Sequence, residues 1–144
     1  ARGRKLILGG VDIPHSHGLE GHSDADVLTH AIMDALLGAI GERDIGVLFP
    51  NTDDAYKGAD SLKLLEHVRK VLEKKKAKIN NVDCTVLAEK PKLSPHIPTM
   101  KQKLAAVLKI SEEAIAIKAT TTEKLGFTGR EEGMIAFAVA LIEL

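Results

Sequence analysis

The residues best suited to do chemistry begin at Gly21-His22-Ser23-Asp24-Ala25-Asp26-Val27-Leu28-Thr29-His30 and continue to Asp34. Asp26, His30 and Asp34 recur at i, i+4 and i+8, so a helix here places them in one stripe. An imidazole in that stripe can ligate a divalent metal, with a neighbouring carboxylate fixing its tautomer through the other ring nitrogen. On spacing alone the stripe also reads as a solvent-facing face carrying a weak ion pair. One histidine makes no zinc site, because catalytic zinc takes three protein ligands and an open position. His22, at the N-terminal end of the same helix, suits an anion, since free backbone N–H groups lie there.

Three further stretches carry polar groups at close spacing. Asp44 and the run Gly46 to Asp60 bring many carboxylates and a single lysine, with Asn51 and Asp53 at the centre and Phe49 placed unusually in a loop. The plain reading of that run is a polar turn region capping the next helix. Lys118 to Arg130 contains Thr120, Thr121 and Thr122, then Glu123, Phe127 and Arg130. Hydroxyls, close-approach glycines and a bidentate guanidinium together resemble a phosphate cradle. The Gly-x4-Gly-Lys-Ser/Thr pattern of a P-loop is absent. Ala88 to His96, with Lys92, Leu93 and Ser94, is a proline-stiffened loop that either presents backbone groups to a base or simply connects two elements.

The elements that must position these groups alternate in type. Lys5–Gly9 and Val11–Pro14 read as short strands around the Gly9-Gly10 break. Ser23 reads as the N-cap of a first helix, with Asp26 as its acidic first-turn partner, and Val27, Leu28, Ala31, Ile32, Ala35 and Leu36 form its apolar stripe. Gly38 and Gly41 mark its end. Leu62, Leu65, Val68 and Leu72 define a second helix. Val82–Ala88 is a strand, Pro98 suits the first turn of a third helix through Leu104 and Leu108, and Ile115–Ala119 and Met134–Ile142 are strands. The expected fold is a single two-layer α/β (α+β) domain over residues 1–144, a β-sheet packed on one face by about three helices.

Composition bounds the remaining classes. The 144 residues are 44% hydrophobic but only 3% aromatic, so the core must be aliphatic. Twenty basic residues balance twenty acidic ones, which argues against a non-specific nucleic-acid binder. The run Lys74-Lys75-Lys76 with Lys78 reads as a solvated helix end. Cys84 is the only cysteine, in the apolar run Val82–Leu87, and reads as a buried inert thiol in a reducing compartment. No apolar run reaches the length of a membrane span. No Ser-His-Asp order, cysteine nucleophile or Rossmann fingerprint is present. The start at Ala1 lacks Met and runs straight into an apolar strand, and is expected to be a cut end.

Taken together and in order, these stretches resemble the 2-C-methyl-D-erythritol 2,4-cyclodiphosphate synthase family. The matching residues are the His22-Ser23-Asp24-Ala25-Asp26-Val27 helix start, Asp44-Ile45-Gly46 with Phe49-Pro50, Lys57-Gly58-Ala59-Asp60, Pro91-Lys92 and Ala119 to Arg130. They span essentially the whole chain, and the Thr120–Arg130 block is specific to the family. The resemblance implies a phosphorus–oxygen lyase that converts 4-diphosphocytidyl-2-C-methyl-D-erythritol 2-phosphate to a cyclic diphosphate and CMP. It implies zinc, or another divalent metal, with Mg or Mn as a second ion. It also implies a homotrimer with active sites between subunits, and no nucleic-acid or membrane partner.

Carried over residue by residue, His30 is a zinc ligand with Asp34 behind it, and His22 and Thr121 stand beside the reacting phosphates. Asp44 and Gly46 help hold the ribose or erythritol part, Phe49, Asn51 and Asp53 belong to the substrate-binding loop, and Ser23 is also a substrate-binding residue. Ala88, Lys92, Leu93 and Ser94 belong to the cytosine pocket. Thr120 and Glu123 contact the nucleotide, and Phe127 and Arg130 close the phosphate end. A bacterial cytoplasm is expected, with a plastid-type organelle as the other location.

Two departures stand out. The family pattern opens with an Asp-x-His ligand pair on a strand preceding the first one here, and this sequence contains no such pair. Asn51 stands where the family usually has Asp. The missing pair keeps open a trimeric CMP- or isoprenoid-diphosphate-binding module, inactive through an incomplete zinc site. A fragment of a fused cytidylyltransferase–cyclase chain is the other reading.

Overall fold

A computed structural model describes residues 6–14, 26–43, 60–89, 91–121 and 133–144. Strands β1 (Leu6–Leu8) and β2 (Val11–Ile13) form an antiparallel hairpin, Leu8 opposite Val11. Its two-residue turn has positive φ at Gly9 (56°) and Gly10 (76°), the signature of a type I′ turn. Side chains are excluded there for a second reason: a Cβ on Gly9 would lie 2.9 Å from Met100 Cβ, and one on Gly10 would collide with Leu62.

Helix α1 (Val27–Ala39) buries Leu28, Ile32, Met33, Leu36 and Leu37, an aliphatic face of 3.6-residue period. Its N-cap is Asp26, whose side chain accepts from Thr29 N–H. This corrects the expected start at Ser23, which lies outside the described residues: Asp26 is the cap itself rather than a first-turn partner. The helix closes through Ile40 onto Gly41 at φ +78°, where only glycine is unstrained.

Helix α2 (Ser61–Lys74) is capped by Asp60 and buries Leu64, Leu65, Val68 and Leu72; Leu62, expected in the stripe, is half-buried. The basic run ends this helix, and Lys75 pairs with Glu42 at 2.9 Å. Helix α3 (Ile97–Leu108) carries Pro98 in its first turn, as expected.

Strand β3 (Lys78–Leu87) is central to a three-stranded sheet among the described residues, parallel to β4 (Ile115–Thr120) and antiparallel to β5 (Ile135–Glu143). It starts four residues earlier than expected, because Lys78, Ile79 and Asn81 pair with the end of β5 through an irregularity between Ile79 and Asn81. On the inner face Val82, Cys84, Val86, Ile115 and Ile117 are buried, and Ala136, Ala138 and Ala140 of β5 let α1 approach closely. The fold is α+β with three helices and two small sheets among the described residues, the hairpin standing apart from the main sheet. On the outer face Phe137, Val139 and Leu141 are 59%, 72% and 60% exposed. No helix among the described residues is long and apolar enough to cross a membrane.

Candidate active site

The parallel pairing of β3 with β4 decides where the site opens. Leu87 lies opposite Thr120, and Ala88 N–H continues the ladder onto Thr120 O at 3.0 Å. Both strands therefore end side by side, and the carboxyl ends of parallel strands are the usual place for a ligand crevice in an α/β sheet. The cavity there measures about 370 Å³ and is lined by Ala88, Lys92, Leu93, Ser94, Thr120 and Thr121, with Glu89, Pro91 and Ala119.

Local chemistry shapes each wall. Ala88 and Leu93 are buried and give an apolar surface, while Lys92, Ser94, Thr120 and Thr121 reach solvent. Pro91 and Pro95 stiffen the loop, and His96 N–H to Leu93 O at 2.9 Å closes a 3₁₀ turn over Ser94–His96 that leads into α3. An apolar wall of Ala88 and Leu93 beside hydroxyls, one ammonium and the Glu89 carboxylate suits an apolar ring with polar edges, such as a nucleobase.

The second group is on α1. Asp26 is fully buried, and its carboxylate accepts Gly9 N–H (2.9 Å), Gly10 N–H (2.8 Å), Thr29 N–H (2.9 Å) and Thr29 Oγ1–H (2.7 Å). Burial pushes its carboxyl above the usual 3.8, and the four hydrogen bonds oppose that rise. The Asp26–His30–Asp34 stripe is thus no uniform solvent face: Asp26 is core, His30 half-buried and Asp34 exposed. His30 Nε2 lies 3.3 Å from Ser61 Oγ of α2. Histidines that bind zinc have their second ring nitrogen hydrogen-bonded in this way, so His30 fits one ligand position. Among the described residues no three metal-ligating side chains come together.

Thus the structure gathers Ala88, Lys92, Leu93, Ser94, Thr120 and Thr121 in one cavity and sets His30 and Asp34 apart from its lining, on α1. His22, Ser23, Asp44, Gly46, Phe49, Asn51, Asp53, Glu123, Phe127 and Arg130 lie outside the described residues. Ser61 was not anticipated; the only hint in the sequence is its place after the capping Asp60. Cys84 is buried, as expected, and burial, with Asp83 adding to it and Lys118 opposing, pushes its thiol up to about 12. It supplies no thiolate near neutrality.

The YgbB family model matches residues 1–143. The 2-C-methyl-D-erythritol 2,4-cyclodiphosphate synthase of Geotalea uraniireducens is 61% identical over 140 residues, 97% of this chain and 89% of that protein. The protein of the same name from Synechococcus elongatus is also 61% identical, over 97% of this chain and 88% of its own length. Among solved structures, the bifunctional IspDF from Campylobacter jejuni superposes with a TM-score of 0.94 at 42% identity, covering 99% of this chain. The chain spans 38% of that bifunctional protein. IspF of Plasmodium falciparum, solved as a CDP complex, superposes with a TM-score of 0.85 at 37% identity, covering 99% of this chain and 85% of that one.

Proposed function

The chain belongs to the YgbB family, and on that footing we propose that it is a cyclodiphosphate synthase. It converts 4-diphosphocytidyl-2-C-methyl-D-erythritol 2-phosphate to 2-C-methyl-D-erythritol 2,4-cyclodiphosphate and CMP. The observation that carries this is the cavity at the ends of β3 and β4, nucleotide-sized and lined by Ala88, Leu93, Thr120 and Thr121. Relatives carrying that activity as their name match nearly the whole chain.

In this reaction an oxygen of the substrate's 2-phosphate forms a bond to the β-phosphorus. The bond from that phosphorus to the bridging oxygen breaks, and the oxygen leaves with CMP. The nucleophile belongs to the substrate, so the protein needs none, in keeping with a buried, protonated Cys84. Its task is to fold the substrate so that the two phosphates meet and to offset their charge. Ala88 and Leu93 pack the cytosine while backbone groups from Ala88 to Ser94 read its edge. Thr120, Thr121 and Glu123 contact the nucleotide side, His22 and Thr121 flank the reacting phosphates, and Phe127 and Arg130 complete the phosphate end. Asp44 and Gly46 help hold the ribose or erythritol part, and Ser23, Phe49, Asn51 and Asp53 complete the substrate-binding surface. Zinc held by His30 and the family's Asp-x-His pair, with Mg²⁺ or Mn²⁺ on the diphosphate, would neutralise charge at the phosphoryl oxygens.

The working form in this reading is a homotrimer with sites between subunits, in a bacterial cytoplasm. The outward apolar stripe Phe137, Val139 and Leu141 supports the assembly, since a lone sheet would leave it in water. Calorimetry with CMP tests the nucleotide site. Thr120→Trp, at the mouth of the cavity, should abolish CMP binding at unchanged melting temperature; undiminished binding would place the nucleotide elsewhere.

A further inference from the structure

Ser61 has the position of a nucleophile and cannot act as one. Its Oγ is 3.3 Å from His30 Nε2, within reach of the distance between an alcohol and its general base. Yet Ser61 is 0% exposed, as the first residue of α2, so no phosphorus can approach that oxygen. The contact acts inward, on the imidazole.

Both ends of the contact are anchored in backbone. His30 N–H donates to Asp26 O at 3.0 Å, and the Asp26 carboxylate ties that turn of α1 to Gly9 and Gly10. Ser61 follows the cap residue Asp60, whose Oδ1 accepts Leu62 N–H at 2.8 Å. The backbones that carry the two side chains are therefore fixed relative to one another, and α1 packs directly on α2. The serine oxygen keeps acceptor lone pairs, so it can take the ring N–H of an Nε2-protonated imidazole. A metal-binding imidazole requires its proton on the nitrogen away from the metal.

We propose that Ser61 is a positioning residue for His30. Nε2 carries the ring proton and donates it to Ser61 Oγ, which leaves Nδ1 as the electron-pair donor and fixes the ring plane. This rests on the reading of His30 as a metal ligand, and it adds to the family's ligand set a partner from a separate helix, 31 residues along the chain.

Long-range ¹H–¹⁵N spectra of the histidine rings test it, with His30 identified by the signal lost in His30→Gln. The expected wild-type pattern is the Nε2-protonated tautomer, and in Ser61→Ala it gives way to tautomer exchange. With an Asp-x-His leader added before Ala1, Ser61→Ala should weaken Co²⁺ binding about 10- to 100-fold, a loss that a purely structural role at equal melting temperature would not produce. A wild-type ring protonated on Nδ1, or unchanged ring signals and Co²⁺ affinity in Ser61→Ala, overturns the assignment. If Ser61→Ala does not fold, the wild-type spectrum decides alone. A leader-bearing wild type that takes up no Co²⁺ refutes His30 as a ligand and this role with it. A wild type that binds Co²⁺ and turns over, beside an unaltered Ser61→Ala, refutes only the role of Ser61.

Discussion

The Asp26 carboxylate accepts the Gly10 amide at 2.8 Å across 16 residues of chain, pinning the β1–β2 turn to the start of α1. Gly9 and Thr29 donate to the same carboxylate, so a single buried side chain satisfies four donors from two elements. Removing it strands those donors, each costing about 1–3 kcal/mol when buried without a partner. Asp26→Ala should therefore lower unfolding free energy by roughly 3 kcal/mol or more in urea titrations. Asp26→Asn should recover little, because its amide N–H₂ would face a backbone N–H. A loss below about 1 kcal/mol would mean that water replaces the carboxylate.

The two kinds of glycine in this chain should respond oppositely to a methyl group. Gly10→Ala combines φ +76° with a collision against Leu62, and should destabilise by at least about 1 kcal/mol. Gly38 sits inside α1 with nothing within 4 Å of a new Cβ, so Gly38→Ala should stabilise by roughly 0.5–1 kcal/mol. Thermal melts of the two variants side by side check both signs.

Cys84 gives the alkaline limb of the stability curve a definite sign. Its thiol titrates at about 12 in the folded chain against 9.0 for the free group. Between those values the unfolded chain has lost a proton that the folded chain keeps, so stability is full below 9.0 and falls as pH rises toward 12. Urea midpoints of the parent and Cys84→Ala should converge across that window, and a disulfide-exchange reagent at pH 8 should modify Cys84 only at the rate of unfolding.

Outward Val139, 72% exposed, is flanked two residues away on the same face by Phe137 and Leu141. Val139→Asp should convert the proposed trimer to monomers in analytical ultracentrifugation without loss of helical circular dichroism. An unchanged sedimentation coefficient would place the subunit contact on another face.

Much of this was legible from local pattern. The apolar stripes of α1 and α2, Pro98 in the first turn of α3, and the alternation Val82, Cys84, Val86 are short-range signals, and the elements formed where those signals lay. What local pattern missed is set by distant partners. At i+4 spacing Asp26 looks like a surface carboxylate, and only Gly9 and Gly10, far upstream, make it a core residue. Lys78, Ile79 and Asn81 resemble a loop until β5 pairs with them. The site behaved similarly. Ala88–Ser94 and Thr120–Thr121 form one cavity because β3 and β4 run parallel, and nothing within either stretch reveals that direction. Their association came from family resemblance alone.

Phosphorus NMR of the reaction tests the central claim most directly. The chain is incubated with 4-diphosphocytidyl-2-C-methyl-D-erythritol 2-phosphate, Zn²⁺ and Mg²⁺, as it stands and with an Asp-x-His leader added before Ala1, beside Thr121→Val. Cyclic diphosphate and CMP should appear in equal amounts with the leader present, and about 10²-fold more slowly in Thr121→Val. Substrate unchanged in both wild-type forms, with CMP still binding, would contradict the account and leave a binding module in place of an enzyme.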